Sequence, residues 1–382
     1  MANTLTGLIP TLYESLQVVS REMVGFIPAV TLDNSLKGAA VGQTVRVPLA
    51  SAGAVEDITP GATPAATGDT TPTYADITIS KSKAAPVRWN GEEQKAMGTM
   101  GEYNAILANQ FADAMRKLVN LVEVDLYTAA KTNASRAYGT AGTTPLGTSG
   151  DLSDIAQIAK ILDDNGAPTT DRQLVLNSTV IANMRGKQSM LLKVNEAGTA
   201  NALRYGIFDP VLGFAIRNSA GITTHTKGTG ASYVTSGATA IGGTSITLAT
   251  GSGTVLAGDV VTFAADTVNK YVVNSGVSAP GAITLGQPGA LAAIATANAM
   301  TIGNSYTGSF AFPRSALVLA ARPPAMPEGG DAADDVTTVT DEMTGLSFQV
   351  AVYRQYRQVK FEVGLAWGVG APNGAHIATL LG

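Results

Sequence analysis

Apolar positions recur every three or four residues along one long stretch of the chain. Leu107, Phe111, Ala114, Leu118, Val122, Leu126 and Ala129 form a single stripe. Asn109, Asp113, Arg116, Lys117, Asn120 and Glu123 fall largely outside it, and Asp113 to Lys117 is a favourable pair one turn apart. No Gly or Pro interrupts residues 102–135. The spacing predicts a helix over roughly 97–132, ~50 Å long at about 1.5 Å per residue. A lone stripe with no heptad partner elsewhere predicts a helix laid across a sheet rather than a coiled coil.

Shorter signals flank it. Thr11 and Glu14 fit a Thr-x-x-Glu capping box after Pro10, followed by Leu12, Leu16, Val19 and Met23 at helical spacing and Gly25 as a C-terminal stop. The chain then turns extended, which gives a helix and arm that dock either on their own domain or on a neighbour. Residues 44–49 and 75–83 alternate like strands. Between them, residues 50–74 are rich in Ala, Gly, Pro and Thr, with Glu56, Asp57 and Asp69 as the only charges. Two strands with such a tip read as a long hairpin that cannot bury a core of its own, so it must lie on another surface.

Residues 151–222 read as α/β. Leu152, Ile155, Ile158, Ala159 and Leu162 define a helix stopped by Asn165, Gly166 and Pro168; residues 173–176 form a buried strand; Asn177 or Ser178 caps a helix over 179–187. From Thr226 to Thr307 only Lys227, Asp259, Asp266 and Lys270 are charged, and short alternating runs are punctuated by Gly. That pattern predicts a small all-β unit. The buried run 315–321 resumes the α/β pattern, so the β unit reads as an insertion. Two alternating strands close the chain. One carries Leu346, Phe348, Val350 and Val352, the other Val359, Phe361, Val363, Leu365 and Trp367.

Composition narrows the function. At roughly 100–200 residues per domain, 382 residues make two or three units. Charged residues are 14 %, against about 25 % for an ordinary soluble protein, while the mean hydropathy is +0.16. So few charges suit a subunit whose surface is largely covered by neighbours. The net charge of −4 argues against a chain that grips nucleic acid mainly through phosphate contacts. There is no Cys and only two histidines, His225 and His376. Thiolate nucleophiles, disulfides and zinc ribbons are thereby excluded, and an imidazole site has few candidates. The first residues lack the basic and apolar regions of a secretory signal, and no run reaches the ~18 apolar residues of a membrane span.

The sequence contains no phosphate-binding loop, His-Glu-x-x-His or Gly-x-Ser-x-Gly. Gly251, Gly253 and Gly258 read as turns of the β unit. The acidic run Glu328, Asp331, Asp334 and Asp335 lacks the Gly and Glu positions of a calcium loop. His225, His376, Trp89 and Trp367 read as structural residues. Arg116, Lys117, Arg354, Arg357 and Lys360 are diluted by acids, which favours a structural role over nucleic-acid contact.

This order of parts resembles the major capsid (coat) protein of tailed bacteriophages with the Hong Kong 97-like fold, in the branch with an inserted β domain. The resemblance spans nearly the whole chain and rests on architecture and on the style of the ending GLAWGVGAPNGAHIATLLG. It implies an α+β fold: residues 1–43 as N-terminal helix and arm; 44–96 as the E-loop hairpin; 97–150 and 326–382 as a peripheral domain with spine helix and sheet; 151–225 and 308–325 as an axial α/β domain; 226–307 as an inserted all-β domain. It implies a structural, non-catalytic protein that needs no metal or cofactor. Such a subunit assembles with itself into hexamers and pentamers of an icosahedral shell in the host cytoplasm. Its partners would be a separate scaffolding protein, a portal, non-specifically held double-stranded DNA and a decoration protein, with no membrane. The inter-subunit contact candidates are Glu56, Asp57 and Asp69 in the hairpin. Glu328, Asp331, Asp334 and Asp335 are further candidates, facing Arg354 or Arg357 of a neighbouring copy. The lysine–asparagine crosslink of some relatives does not carry over. Lys81 and Lys83 lie in the hairpin, but nothing identifies an Asn partner or a catalytic Glu. The alternatives are a nanocompartment shell of the same fold and a bacterial surface protein with a β-rich binding domain.

Overall fold

The computed structural model describes residues 24–35, 37–49, 72–100, 103–148, 151–186, 210–341 and 344–382. The predicted helix at Thr11–Glu14 and the hairpin tip with Glu56, Asp57 and Asp69 lie outside them.

The chain enters through a 3-10 turn, Ile27–Ala29, and strand β1 (Thr31–Asn34). β2 (Thr44–Leu49) and β3 (Thr73–Thr78) pair antiparallel, Thr44 opposite Thr78 and Leu49 opposite Thr73, as a two-stranded ribbon separate from the other sheets. Its root is held by Ile77 and Ile79, both buried with Ala39, Val318, Ala320 and Ala366. The hairpin is shorter than the sequence pattern suggested. The chain turns after β3, and β4 (Lys81–Asn90) joins a main sheet instead, because Val87 and Trp89 alternate inward beneath a helix.

Helix α1 (Gly91–Met100) follows, opened by a reciprocal capping box. Asn90 Oδ1 accepts from the Glu93 N–H at 2.8 Å, and Glu93 accepts from the Asn90 N–H at 3.0 Å. Helical structure therefore begins at residue 91, ahead of the predicted start at 97. α2 (Tyr103–Asn133) is the long one, with 31 residues. Leu107, Phe111, Ala114, Leu118, Val122 and Leu126 of the predicted stripe are all buried.

β5 (Arg136–Gly139), α3 (Ser153–Asp164), β6 (Arg172–Leu176), α4 (Ser178–Arg185) and β7 (Phe214–Asn218) make the α/β part. Asn177 caps α4, accepting from the Val180 N–H at 2.8 Å. Next come β8 (Thr224–His225), β9 (Val234–Thr235), β10 (Ser245–Ala249), β11 (Val260–Phe263), β12 (Asp266–Ser275), β13 (Ala282–Leu285), β14 (Met300–Ile302) and β15 (Tyr306–Thr307). The chain closes with β16 (Ser309–Pro313), β17 (Val318–Arg322), β18 (Asp335–Thr340), β19 (Ser347–Gln355), β20 (Gln358–Gly370) and β21 (Ala378–Leu381).

Two sheets organise these elements. The six-stranded sheet runs β1-β17-β20-β19-β18, with β4 on the other side of β20. α2 lies on it, and the largest cluster of buried apolar residues is shared between them. The eleven-stranded sheet runs β7-β6-β16-β21-β5-β12-β13-β10-β9, with β11 on β12 and β14 on β11. α3 and α4 cover its β6, β16 and β21 region. Residues 226–307 contain strands only, among the described residues, and hold a separate cluster around Tyr233, Phe263 and Tyr271. They are joined to the rest through β12, whose Tyr271 pairs with Arg136 of β5.

Two boundaries differ from expectation. β17, expected with the axial unit, pairs with β20 in the six-stranded sheet. β21, expected with the peripheral unit, sits between β16 and β5 in the other. Both strands are buried along most of their length, so their apolar runs fit either sheet equally well.

Buried phenols give the fold an alkaline limit. Burial pushes the Tyr127 and Tyr271 hydroxyls up to about 12 and raises that of Tyr306 as well. An unfolded chain ionises these groups near pH ~10. Their contribution is intact below that pH and is lost as pH rises to about 12. Denaturant titrations at pH 9, 10.5 and 11.5 should give a falling midpoint, and Tyr127→Phe should flatten the fall.

Candidate assembly interface and its anchors

Glu123 follows Val122 of the apolar stripe, and the sequence grouped it with the solvent-facing polar residues. The structure corrects that: it is 1 % exposed. Its carboxylate accepts from the N–H groups of Gly25 (3.3 Å), Phe26 (3.1 Å) and Ile27 (2.8 Å) and from the Ser219 hydroxyl (2.5 Å). These N–H groups open the 3-10 turn Ile27–Ala29, so a side chain on α2 caps a turn distant in sequence. A Cβ on Gly25 would lie 2.7 Å from the Asn218 carbonyl oxygen, and one on Gly221 would lie 2.9 Å from Glu123 Cβ. Only glycine allows both approaches. Burial pushes the Glu123 carboxyl above its usual range, while its four donors pull against that shift. Phe26 then stacks on Phe312 with centroids 6.2 Å apart and meets the Tyr127 edge at 6.4 Å. From residue 24 onward the predicted arm is docked on its own chain.

Both tryptophans pack, and both also tie α2 to the sheet. Trp367 Nε1 donates to Asp125 Oδ2 at 2.8 Å, and Lys81 pairs with the other oxygen at 2.7 Å. Trp89 Nε1 donates to Gln110 Oε1 at 2.7 Å. Beside these ties a groove of about 690 Å³ runs between β4 and α2, lined by Lys83, Ala85, Arg88, Ile106, Lys117 and Leu121 among others. Leu121 is 43 % exposed, and Lys117 pairs with Asp113 at 2.7 Å.

The acidic run is engaged within the chain. Arg354 pairs with Asp334 of the same chain at 2.7 Å. The Tyr353 hydroxyl donates to Asp331, holding that carboxyl below its usual range, while the Tyr353 phenol rises to about 12. Glu328 is exposed, and Asp335 opens β18. Arg357 is exposed in the turn between β19 and β20, at φ +54°, beside Tyr356, which is 90 % exposed. Lys360 pairs with Glu362. The basic residues are thus spread among local ion pairs.

His225 is buried against Asp259, Nε2 to Oδ1 2.8 Å. Asp259, 1 % exposed, also accepts from the N–H groups of Gly228 (3.1 Å) and Leu256 (2.8 Å). This pair fastens β8 to the start of the β-only region. Burial pushes the His376 imidazole below its ordinary value. Among the described residues, no group of three His, Asp or Glu could hold a metal, and no helix is long and apolar enough to cross a membrane.

No protein-family model matches the sequence, and no curated protein matches it. Among solved structures, the chain is similar to the capsid of the cyanophage P-SCSP1u at 11 % identity and TM-score 0.47, over 92 % of this chain and 86 % of that one. It is similar to the capsid of an empty GTA particle at 13 % identity and TM-score 0.45, over 94 % and 90 %. A virus-like particle from Pyrococcus furiosus is similar at 11 % identity and TM-score 0.44, over 98 % and 99 %.

Proposed function

We propose that the chain is the major capsid subunit of a tailed bacteriophage. It assembles into an icosahedral shell around double-stranded DNA and acts through its contacts, without catalysis. One observation carries this reading. A two-stranded ribbon pairs with neither main sheet and, among the described residues, is rooted through Ile77 and Ile79 on the six-stranded sheet, on the side away from the 31-residue helix laid on that sheet. That arrangement agrees with the sequence resemblance, and the reading does not lean on the structural similarities. A ribbon that cannot bury its own faces gains its stability from a surface outside it.

The surface we assign to it is the groove between β4 and α2 of a neighbouring copy. The ribbon's tip sequence carries Glu56, Asp57 and Asp69 with no cation, and the groove presents Lys83 and Arg88 beside the Lys117–Asp113 pair. Arg357, exposed at a turn, is a second contact candidate; Glu328 and Asp335 remain acidic ones. A scaffolding protein, a portal and a decoration protein complete the expected partners.

Negative-stain electron microscopy of the purified chain, alone and with a candidate scaffolding protein, tests the reading. Closed shells or capsomer-sized rings are expected. A chain that stays monomeric in both conditions at high concentration refutes it. Shells that carry nucleic acid on phage production, rather than a protein cargo, separate a capsid from a nanocompartment. Changing Glu56, Asp57 and Asp69 together to Lys should leave the subunit folded by circular dichroism and abolish shells. Normal shells from that variant would remove the hairpin–groove contact, and normal shells from Arg357→Glu would remove Arg357.

A further inference from the structure

The ends of β6, β7 and β16 link two guanidinium groups to one carboxylate, Arg314 directly and Arg217 through Gln173. Arg217 on β7 donates from Nε to Gln173 Oε1 at 2.8 Å. Gln173, 2 % exposed, donates in turn to Asp171 Oδ1 at 2.8 Å. Arg314, just after β16, faces Asp171 Oδ2 at 3.5 Å and donates from a terminal nitrogen to the Pro28 carbonyl at 3.2 Å. The atom that faces Asp171 is the Arg314 Nε itself, buried and ion-paired there but without a hydrogen bond among the described residues. The neighbouring Arg172 is neutralised by Asp163 at 2.6 Å and adds nothing to the imbalance. Two cations therefore share one acid, and Arg217 rests on a neutral amide.

We propose that Arg217 and Arg314, braced by Gln173 and Asp171, form a binding site for a phosphate group. Guanidinium forks match the paired oxygens of phosphate, and such charge-assisted bonds are about twice as strong as neutral ones. Burial and then the charge of Arg314 lower the Arg217 pKa, and Asp171 pulls it the other way. A phosphate between the two cations relieves their repulsion and offers a hydrogen bond to the Arg314 Nε, which Asp171 engages only as an ion pair. Gln173, locked in the sheet, fixes the direction of the Arg217 fork. The site belongs to the folded chain itself and does not depend on the shell reading.

The test is calorimetric titration of inorganic phosphate into the full chain at constant ionic strength set with chloride. Saturable uptake at one site per chain is expected. Arg217→Met, which keeps the aliphatic stem, should weaken it about tenfold or more, roughly the ~1.4 kcal/mol lost with one such bond pair. Asp171→Asn should tighten it several-fold, since it removes the competing carboxylate. Asn also accepts the left-handed backbone at position 171, where φ is +56°. Arg354→Met, which removes an equal charge elsewhere, should change nothing. Absence of saturable uptake overturns the proposal. So does uptake that Arg217→Met leaves intact, or that Asp171→Asn fails to tighten. A duplex DNA arm at the same salt separates the sources. DNA binding weakened by Arg217→Met assigns the site to backbone phosphates; phosphate uptake without DNA binding assigns it to free phosphate or a monoester.

Discussion

Replacing Glu123 with alanine is expected to cost about 3 kcal/mol, within the range for removing one partner from a buried charged network. The carboxylate is the acceptor for three buried N–H groups and the Ser219 hydroxyl. No other acceptor for the Gly25 and Phe26 N–H groups is found among the described residues, and Gly221 seals the site from the far side. Alanine relieves a buried charge but leaves those donors unpaired, and the second effect exceeds the first. Glu123→Gln should be milder, because its carbonyl keeps part of the acceptor role. Hydrogen exchange provides the local measurement: the amides of Gly25, Phe26 and Ile27 should lose protection ahead of the sheet. The pH dependence has a defined sign. The folded carboxyl lies above its ordinary value, so the folded chain binds the proton more tightly than the unfolded chain. This group's contribution therefore declines as pH rises through the folded value, and Glu123→Gln should flatten that slope. Unchanged midpoints and unchanged exchange in Glu123→Ala would mean that the turn Ile27–Ala29 is held by Phe26 packing alone.

Asp259→Ala is the second large effect, again about 3 kcal/mol by the same reasoning. It strips the acceptor from His225, Gly228 and Leu256 at once. Because Asp259 fastens β8 to the β-only region, the damage should be regional. Limited proteolysis is expected to cut within 226–307 while α2 and the six-stranded sheet survive. His225→Ala should cost less, since Asp259 keeps its two backbone donors. Equal proteolysis across the whole chain would place Asp259 in the common core instead.

Both acids were hard to recognise in the sequence, and for one reason. Glu123 sits among Asn120, Lys117 and Arg116 as one more polar residue beside an apolar stripe, and its partners are 96–98 residues away. Gly25 read as a helix stop, and no local pattern joins it to Ser219, Gly221 or Glu123. Asp259 was one of four charges in a long, nearly uncharged region, and nothing local named its partner. α2 was legible because its periodicity is local, and α3 and α4 because of their stops and caps. The start of α1 at residue 91 was missed because the Asn90-x-x-Glu93 capping box was passed over. β17 and β21 were assigned to the wrong sheets because a buried apolar run does not encode which neighbour it pairs with. The groove between β4 and α2 was invisible for a related reason: its two walls meet through the pairing of β4 with β20 and through contacts such as Trp89–Gln110, which no local pattern encodes.

The positions of β20 and β21 have a consequence for vectorial synthesis on the ribosome. β20 pairs with β17, β19 and β4 in one sheet, and β21 bridges β16 and β5 in the other. Residues 358–381 are translated after nearly every partner they join, and neither sheet is continuous without them. A nascent chain therefore cannot finish either layer until those residues clear the exit tunnel, and such non-local pairing folds slowly. Half-made subunits on one polysome therefore expose unfinished sheet edges until residues 358–381 join them.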